Sequence, residues 1–429
     1  GTNSDTLFWY DDIAIGINIC EDIWIEDGPA EDQVKQGASL IININASPYD
    51  IQKNETRKEL VMKKALKLNV PIIYLNMVGG QDELVFDGGS FVVNDLGEII
   101  YQASSFQEEV FHLDIDLKIK KQNSKSSLTT RPKTTELKDV KSKPSLSENE
   151  SIYSALKLGL LDYVSKNKFT KVLIGISGGI DSALTAAICV DALGSENVLG
   201  VAMPSKYNSK ESLEDAITLS DNLGINLKII EIEKIVDSFR EVLANSLKEE
   251  LGQITDENIQ SRVRGNILMG LSNQTGAMVV STGNKSEMAV GYSTLYGDLA
   301  GGFALIKDLY KTKVYELSNY RNSISDAIPE NIISKEPSAE LRPNQFDSDS
   351  LPDYEVLDKI LNLYIEEDSS SERIIASGVQ PGLVYDVLEK VDRNEYKRKQ
   401  VAPGVKLTQK AFGKDRRMPI TNTYIRQKE

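Results

Sequence analysis

The chain has 429 residues, 40% hydrophobic and 26% charged, the balance of a globular protein with a real core in two or three domains. Its formal net charge of −15 argues against a duplex nucleic-acid surface, and its single histidine, His112, excludes a His-rich metal site and leaves only one candidate for a Ser-His-Asp triad. Two cysteines, Cys20 and Cys189, imply no disulfide framework and suit a reducing compartment, and neither a membrane-length apolar run nor a signal peptide is visible.

Residues 11–20, DDIAIGINIC, alternate strictly, which predicts a strand with Ile13, Ile15, Ile17 and Ile19 on one side. Two more apolar strands are expected at 38–47 and 70–80, separated by helical stretches, and 88–102 reads as a hairpin turning at Asn94–Gly97. His112 falls in EVFHLDIDL, a strand-like context. Residues 116–150 are rich in Lys, Ser and Thr with little apolar periodicity and read as a solvated linker.

From 151 onward strands and helices alternate: helix near 151–166, strand KVLIGIS, helix from about Asp181 to Leu193, strand NVLGVAMPS, helix near 209–223, strand NLKIIEIE, helices near 233–250 and 256–274, and strand AMVVSTGN at 277–284. Repeated strand–helix units predict a parallel sheet with helices on both faces. The tail from Lys397 is basic, Pro/Gly-punctuated and expected to be irregular but docked. The expected domains are 1–115, a connection 116–150, and 151–429.

Between a strand and a helix lies SGGIDS, residues 177–182. Glycines let backbone amides turn inward, and the helix N-terminus adds its positive dipole end. Ser177 and Ser182 add hydroxyls, and Asp181 at the mouth can hold a divalent cation. The loop lacks the Gly-Lys-Ser/Thr ending of the ordinary P-loop. It resembles the pyrophosphate loop of the N-type ATP pyrophosphatases, which cleave ATP between the α- and β-phosphates.

Later motifs narrow that class. Residues 281–317 begin STGNKSE and continue through YGD, 336–358 read EPSAELRPNQFDSDSLPDYEVLD, and 395–406 read EYKRKQVAPGVK. Together they resemble the NAD synthetase family. The resemblance implies that Gly175, Ile176, Ser177, Gly178, Gly179, Ile180, Asp181, Ser182, Thr282, Lys311 and Ser338 hold ATP, a co-substrate. It also implies that Asp181 and Glu287 ligate Mg²⁺, and that Asn258, Arg262, Glu287, Tyr292, Ser293, Thr294, Leu295 and Lys397 face deamido-NAD. Asn258 and Arg262 stand at i and i+4, on one face of the expected helix; Arg262 also reads as a surface salt-bridge arginine. Cys189 reads as a small core residue.

GINICEDIW, 16–24, places Cys20 at a strand end, where a cysteine reads either as a half-core thiol or as a nucleophile. NASPYDIQKNETRKE and NMVGGQDELVFDGGSFV resemble the nitrilase-like glutaminase domain that accompanies glutamine-dependent NAD synthetases. That resemblance implies Cys20 as the nucleophile, with Ser47 and Lys53 binding glutamine. The family's Glu and Lys partners lie upstream of the cysteine, and no Glu or Lys precedes Cys20 in this sequence. Together with the missing initiator Met this leads us to expect a truncated glutaminase domain, and a chain that does not use glutamine by itself.

The expected fold is α/β: part of a nitrilase-like αββα sandwich, then a doubly wound parallel-sheet ATP pyrophosphatase domain. The expected partners are small molecules (ATP, deamido-NAD, glutamine or ammonia) with no nucleic acid and no membrane, in a cytoplasmic homo-oligomer. A different amidotransferase of the same loop class, such as a GMP synthetase, is the alternative.

Overall fold

A computed structural model of the chain describes residues 7–118 and 142–421. The expected linker therefore lies largely outside the described residues. Contacts divide the chain into two units, one of residues 1–80 and 84–151, the other of 81–83 and 152–429.

The first unit contains β1 (Leu7–Tyr10), β2 (Ile13–Ile19), a short 3₁₀ turn (Cys20–Ile23), α1 (Pro29–Lys35), β3 (Leu40–Asn45), α2 (Lys53–Leu68) and β4 (Ile72–Asn76). A small hairpin of β5 (Val78–Gln81) and β6 (Leu84–Asp87) follows, then β7 (Phe91–Val93) and β8 (Ile99–Gln102). The main sheet runs β1-β2-β3-β4-β7-β8. Its centre, β2 to β4, is parallel, and its flanks are antiparallel. As expected, the β7–β8 hairpin turns through Asn94 and Gly97, where φ is +79°.

The alternation of β2 is real, with the isoleucines on one side as expected and the small residues on the more buried one. Ala14, Gly16 and Asn18 are buried, while the isoleucines are half-buried or exposed, Ile19 at 67%. The small residues fit because α1 packs closely there: a Cβ on Gly16 would meet the Gln33 side chain at 2.6 Å. The core on this face joins Ile41, Ile72 and Phe91 to Ala30, Val61 and Ala65 of the helices. His112 lies in an irregular segment instead of the expected strand, although its neighbours Phe111 and Leu113 pack near Tyr101.

Helix α3 (Glu148–Lys166) begins four residues before the boundary and belongs to the second unit from Ile152. That unit continues with β9 (Val172–Gly175), α4 (Ile180–Leu193), β10 (Val198–Ala202), α5 (Lys210–Leu223), β11 (Asn226–Ile229), α6 (Glu233–Leu247) and α7 (Gln253–Thr275). Then come β12 (Met278–Ser281), α8 (Lys285–Val290), β13 (Phe303–Ala304) and α9 (Lys311–Ile324), with helical segments 354–361 and 381–393 beyond. The sheet is wholly parallel, in the order β11-β10-β9-β12-β13. Val236, Ile259 and Val263 of α6 and α7 bury against Leu173, Val201 and Val279. The tail is irregular yet docked, with Val405, Leu407 and Phe412 buried.

Strand order reverses between β9 and β12. In open parallel sheets the crevice beyond the strand ends at such a switch point is where ligands bind. The sequence places SGGIDS after β9 and TGN after β12, on either side of that crevice.

Candidate active site

A cavity of about 890 Å³ opens at the switch point. Gly175, Ile176, Ser177, Gly179, Ile180 and Asp181 line it from the first loop, Thr282 and Glu287 from the region after β12, and Lys311 and Ser338 from farther along. Asn258, Tyr292, Ser293, Thr294 and Lys397 line it as well. Four predicted residues do not: Gly178, Ser182, Arg262 and Leu295.

Each of the four has a visible local role. Gly178 has φ +77°, and a Cβ there would lie 2.2 Å from the Ser212 carbonyl oxygen, so it forms the back of the loop. The Ser182 hydroxyl donates to Gly179 O at 2.9 Å and accepts from the Ser177 amide at 3.2 Å, shaping the turn from inside. Arg262 Nε donates to the Leu295 carbonyl at 3.2 Å on the exposed side of α7.

The charged centre is built from three elements. Asn284 caps α8: its Oδ1 accepts from the Glu287 amide at 3.0 Å, while its Nδ2 donates to Asp181 Oδ1 at 2.8 Å. One amide side chain thus starts a helix and orients an acid from α4. Lys311, the first residue of α9, places Nζ 2.5 Å from Asp181 Oδ2 and 3.6 Å from Glu287 Oε1. Its backbone amide is fixed by Ser286 Oγ at 2.9 Å, and Ser286 donates onward to Asp358 at 2.5 Å.

Burial, reinforced by the Asp181 carboxylate, pushes the Glu287 carboxyl up to about 8. Burial opposes the Lys311 ammonium, but Asp181 and Glu287 outweigh it and hold its pKa above the usual lysine value. Asp347, also lining the cavity, is raised by burial although Tyr354 donates to it at 2.7 Å.

Among the described residues no group of three or more His, Cys, Asp or Glu is arranged to hold a metal ion. Two carboxylates that share a lysine ammonium do fit an Mg²⁺ site completed by phosphate oxygens, because Mg²⁺ commonly takes one or two carboxylates and fills its octahedron from phosphates and water.

The opposite wall is tied together by Thr294, whose hydroxyl donates to Asn258 Oδ1 at 2.8 Å and whose amide donates to Asp298 at 2.7 Å. Lys397 Nζ donates to the carbonyls of Gly291 and Ser293 at 2.7 and 2.8 Å. Arg264, absent from the expectations, also lines the cavity. Burial lowers its pKa to about 10, and its hydrogen bonds go to neutral partners, Met203 O and Asn208 Oδ1, both at 3.1 Å. A half-buried guanidinium in this lining suits an anionic ligand.

In the first unit Cys20 opens the 3₁₀ turn with φ +48°, a left-handed conformation that is uncommon outside glycine. The Asp22 carboxylate accepts from the Ile19 amide at 2.9 Å and ties the turn to the strand. Ser47 is buried. Its hydroxyl accepts from Arg57 Nε at 3.1 Å, and Asn76 Oδ1 accepts from its amide at 2.9 Å. Arg57 in turn pairs with Asp87 at 2.7 Å. Lys53 Nζ lies 4.7 Å from the centroid of the Trp24 ring, just past the Cys20 turn. Burial raises the Tyr74 phenol, which also feels Arg57 and Cys20. Cys189 is fully buried and its thiol pKa is driven up by burial.

Fold and site define a class: a doubly wound nucleotide-phosphate domain preceded by a nitrilase-like domain that presents a strand-end thiol. Residues 152–401 match the NAD synthase family, and residues 3–121 match the carbon-nitrogen hydrolase family. A glutamine-dependent NAD(+) synthetase from Aquifex aeolicus is 48% identical over 96% of this chain and 76% of its own length. One from Thermotoga maritima is 49% identical over 96% and 75%. The structure of the Acinetobacter baumannii glutamine-dependent NAD+ synthetase in complex with ADP superposes with a TM-score of 0.69 at 43% identity, covering 96% of this chain and 73% of that one. The chain belongs to the glutamine-dependent NAD(+) synthetase family.

Proposed function

We infer that the chain catalyses ATP-dependent amidation of deamido-NAD to NAD, and that glutamine is the source of ammonia for the family to which it belongs. The observation that carries the inference is the switch-point cavity, where the SGGIDS loop, the Asp181–Lys311–Glu287 cluster and Thr282 share one lining.

A carboxylate oxygen of the nicotinate group attacks the α-phosphorus of ATP. The bond from that phosphorus to the bridging oxygen breaks, and pyrophosphate leaves with its electron pair. Amides and hydroxyls of 175–182, with Lys311 and Ser338, would receive the pyrophosphate charge. Asp181 and Glu287 would hold Mg²⁺, which when bound supplies positive charge against the phosphates. Asn258, Tyr292, Thr294 and Lys397 would orient deamido-NAD. Ammonia then adds to the acyl carbon, loses a proton, and expels AMP. Most of the acceleration would come from orientation and preorganised charge, with water excluded from the adenylate.

In the nitrilase-like domain, Cys20 Sγ would attack the glutamine carboxamide carbon, releasing ammonia and leaving a thioester that water hydrolyses to glutamate. Ser47 and Lys53 would bind glutamine. The domain limits belonging to this reading are 1–115, the connection 116–150, and 151–429. Free thiols suit the cytoplasm. A homo-oligomer completes the proposal, and sedimentation analysis tests it.

The test is NAD and pyrophosphate formation from ATP, Mg²⁺ and deamido-NAD, with ammonium and with glutamine. NAD and pyrophosphate in equal amounts with ammonium are expected. ADP and inorganic phosphate in their place would contradict the reading.

A further inference from the structure

Segment 336–346 forms part of the cavity lining, yet it contains no regular element. Internal bonds close it on itself, the Ser338 hydroxyl donating to the Gln345 carbonyl at 2.5 Å. The Glu340 amide donates to Ser338 Oγ at 3.1 Å and the Leu341 amide donates to Gln345 Oε1 at 2.8 Å. Glu340 and Asn344 both have left-handed φ values, +48° and +50°. Non-glycine residues hold such values only where the surroundings fix them.

Gln260 Nε2 donates to the Leu341 carbonyl at 2.9 Å and Arg342 pairs with Glu257 at 3.4 Å, while the Glu340 side chain makes the most bonds to the rest of the lining. Its carboxylate accepts from Asn208 Nδ2 at 2.8 Å, Ser209 Oγ at 3.0 Å and Ser212 Oγ at 2.9 Å. Ser209 caps α5, with the Ser212 amide donating to its hydroxyl at 3.1 Å. Ser212 faces two ways, because its carbonyl oxygen occupies the space that a Cβ on Gly178 would need. Asn208 is equally shared, since its Oδ1 accepts from Arg264. One carboxylate therefore joins three parts of the lining: the irregular segment, the residue that backs the 177–182 loop, and the partner of the Arg264 guanidinium.

We propose that Glu340 is a positioning residue for the amidation reaction. Its carboxylate pins segment 336–346 to the head of α5 and keeps that wall of the cavity in place while the adenylate exists. The proposal rests on the amidation reading above. Without the pin, water reaches the adenylate and ATP is consumed without NAD being formed.

Glu340→Ala, Glu340→Gln and Glu340→Asp separate positioning from simple stability. Two readouts are taken on the full chain: pyrophosphate released per NAD formed with ammonium, and hydrogen exchange of the Glu340 and Leu341 amides without substrates. Glu340→Ala is expected to exchange about tenfold faster at these amides, with the melting temperature shifted by less than about 2 °C. It is also expected to release about three or more pyrophosphates per NAD. Glu340→Gln, which keeps one acceptor, should fall between Glu340→Ala and wild type, and Glu340→Asp should restore part of the coupling. Unchanged exchange in Glu340→Ala would overturn the proposal whether or not the chain makes NAD. Faster exchange with an unchanged pyrophosphate-to-NAD ratio would overturn its role in the reaction. A wild-type chain that makes no NAD, with exchange still accelerated in Glu340→Ala, would refute the amidation reading and uphold the pin.

Discussion

At the scale of single residues, the proposed chemistry rests on the Asp181–Lys311–Glu287 cluster. Glu287 has an ordinary pKa of 4.5 and is pushed to about 8 by burial and Asp181. Between those values the folded chain without metal holds a proton that the unfolded chain has released. The group's contribution to stability therefore falls as pH rises through that window. A divalent cation needs the ionised carboxylate, so Mg²⁺ binding should release a proton and tighten as pH rises toward 8. Calorimetry in buffers of different ionisation enthalpy measures this; pH-independent binding without proton release would remove Glu287 from the ligand set. On the proposed reading Lys311→Met should lower kcat by about 10²-fold or more, because it removes the positive charge proposed to receive the pyrophosphate. Cys20 offers a cleaner stability test. At φ +48° glycine is unstrained, so Cys20→Gly should be about 1 kcal/mol more stable than Cys20→Ala, as read by denaturant melts.

The loops between elements were the most legible part of the sequence, and side-chain partnerships across elements the least. Glycine, serine and aspartate placed SGGIDS between β9 and α4 because turn chemistry is local. The β2 alternation was equally clear, but alternation alone does not say which face is the more buried. Close helix packing instead selected Ala14, Gly16 and Asn18 for burial. Asn284 could have been found, since Asn-Lys-Ser-Glu is a capping box. Its second bond, to Asp181, could not, because 103 positions separate them. Arg264 sits six residues beyond Asn258 on α7, and only its bond to the Met203 carbonyl, just past β10, shows that it turns into the cavity. Gly178→Ala tests the loop as an element. It combines a left-handed φ with a Cβ 2.2 Å from Ser212 O, and should cost about 2–4 kcal/mol while abolishing ATP binding. Wild-type stability in that variant would show that the loop relaxes freely.

At the scale of the whole molecule, the chain joins two units whose chemistries are separable by nitrogen source. Cys20 belongs to the first unit and the switch-point cavity to the second. Cys20→Ala should therefore leave ammonium-driven NAD formation within about twofold of wild type and abolish any glutamine-driven formation. A large loss with ammonium would mean that the thiol serves the second site. The central claim is that the second unit joins a carboxylate oxygen to the α-phosphorus of ATP. Deamido-NAD carrying ¹⁸O in its nicotinate carboxylate, incubated with ATP, Mg²⁺ and ammonium, tests it directly by mass analysis of the AMP. One ¹⁸O atom transferred to the AMP phosphate is the predicted result; NAD formed alongside unlabelled AMP would contradict the account.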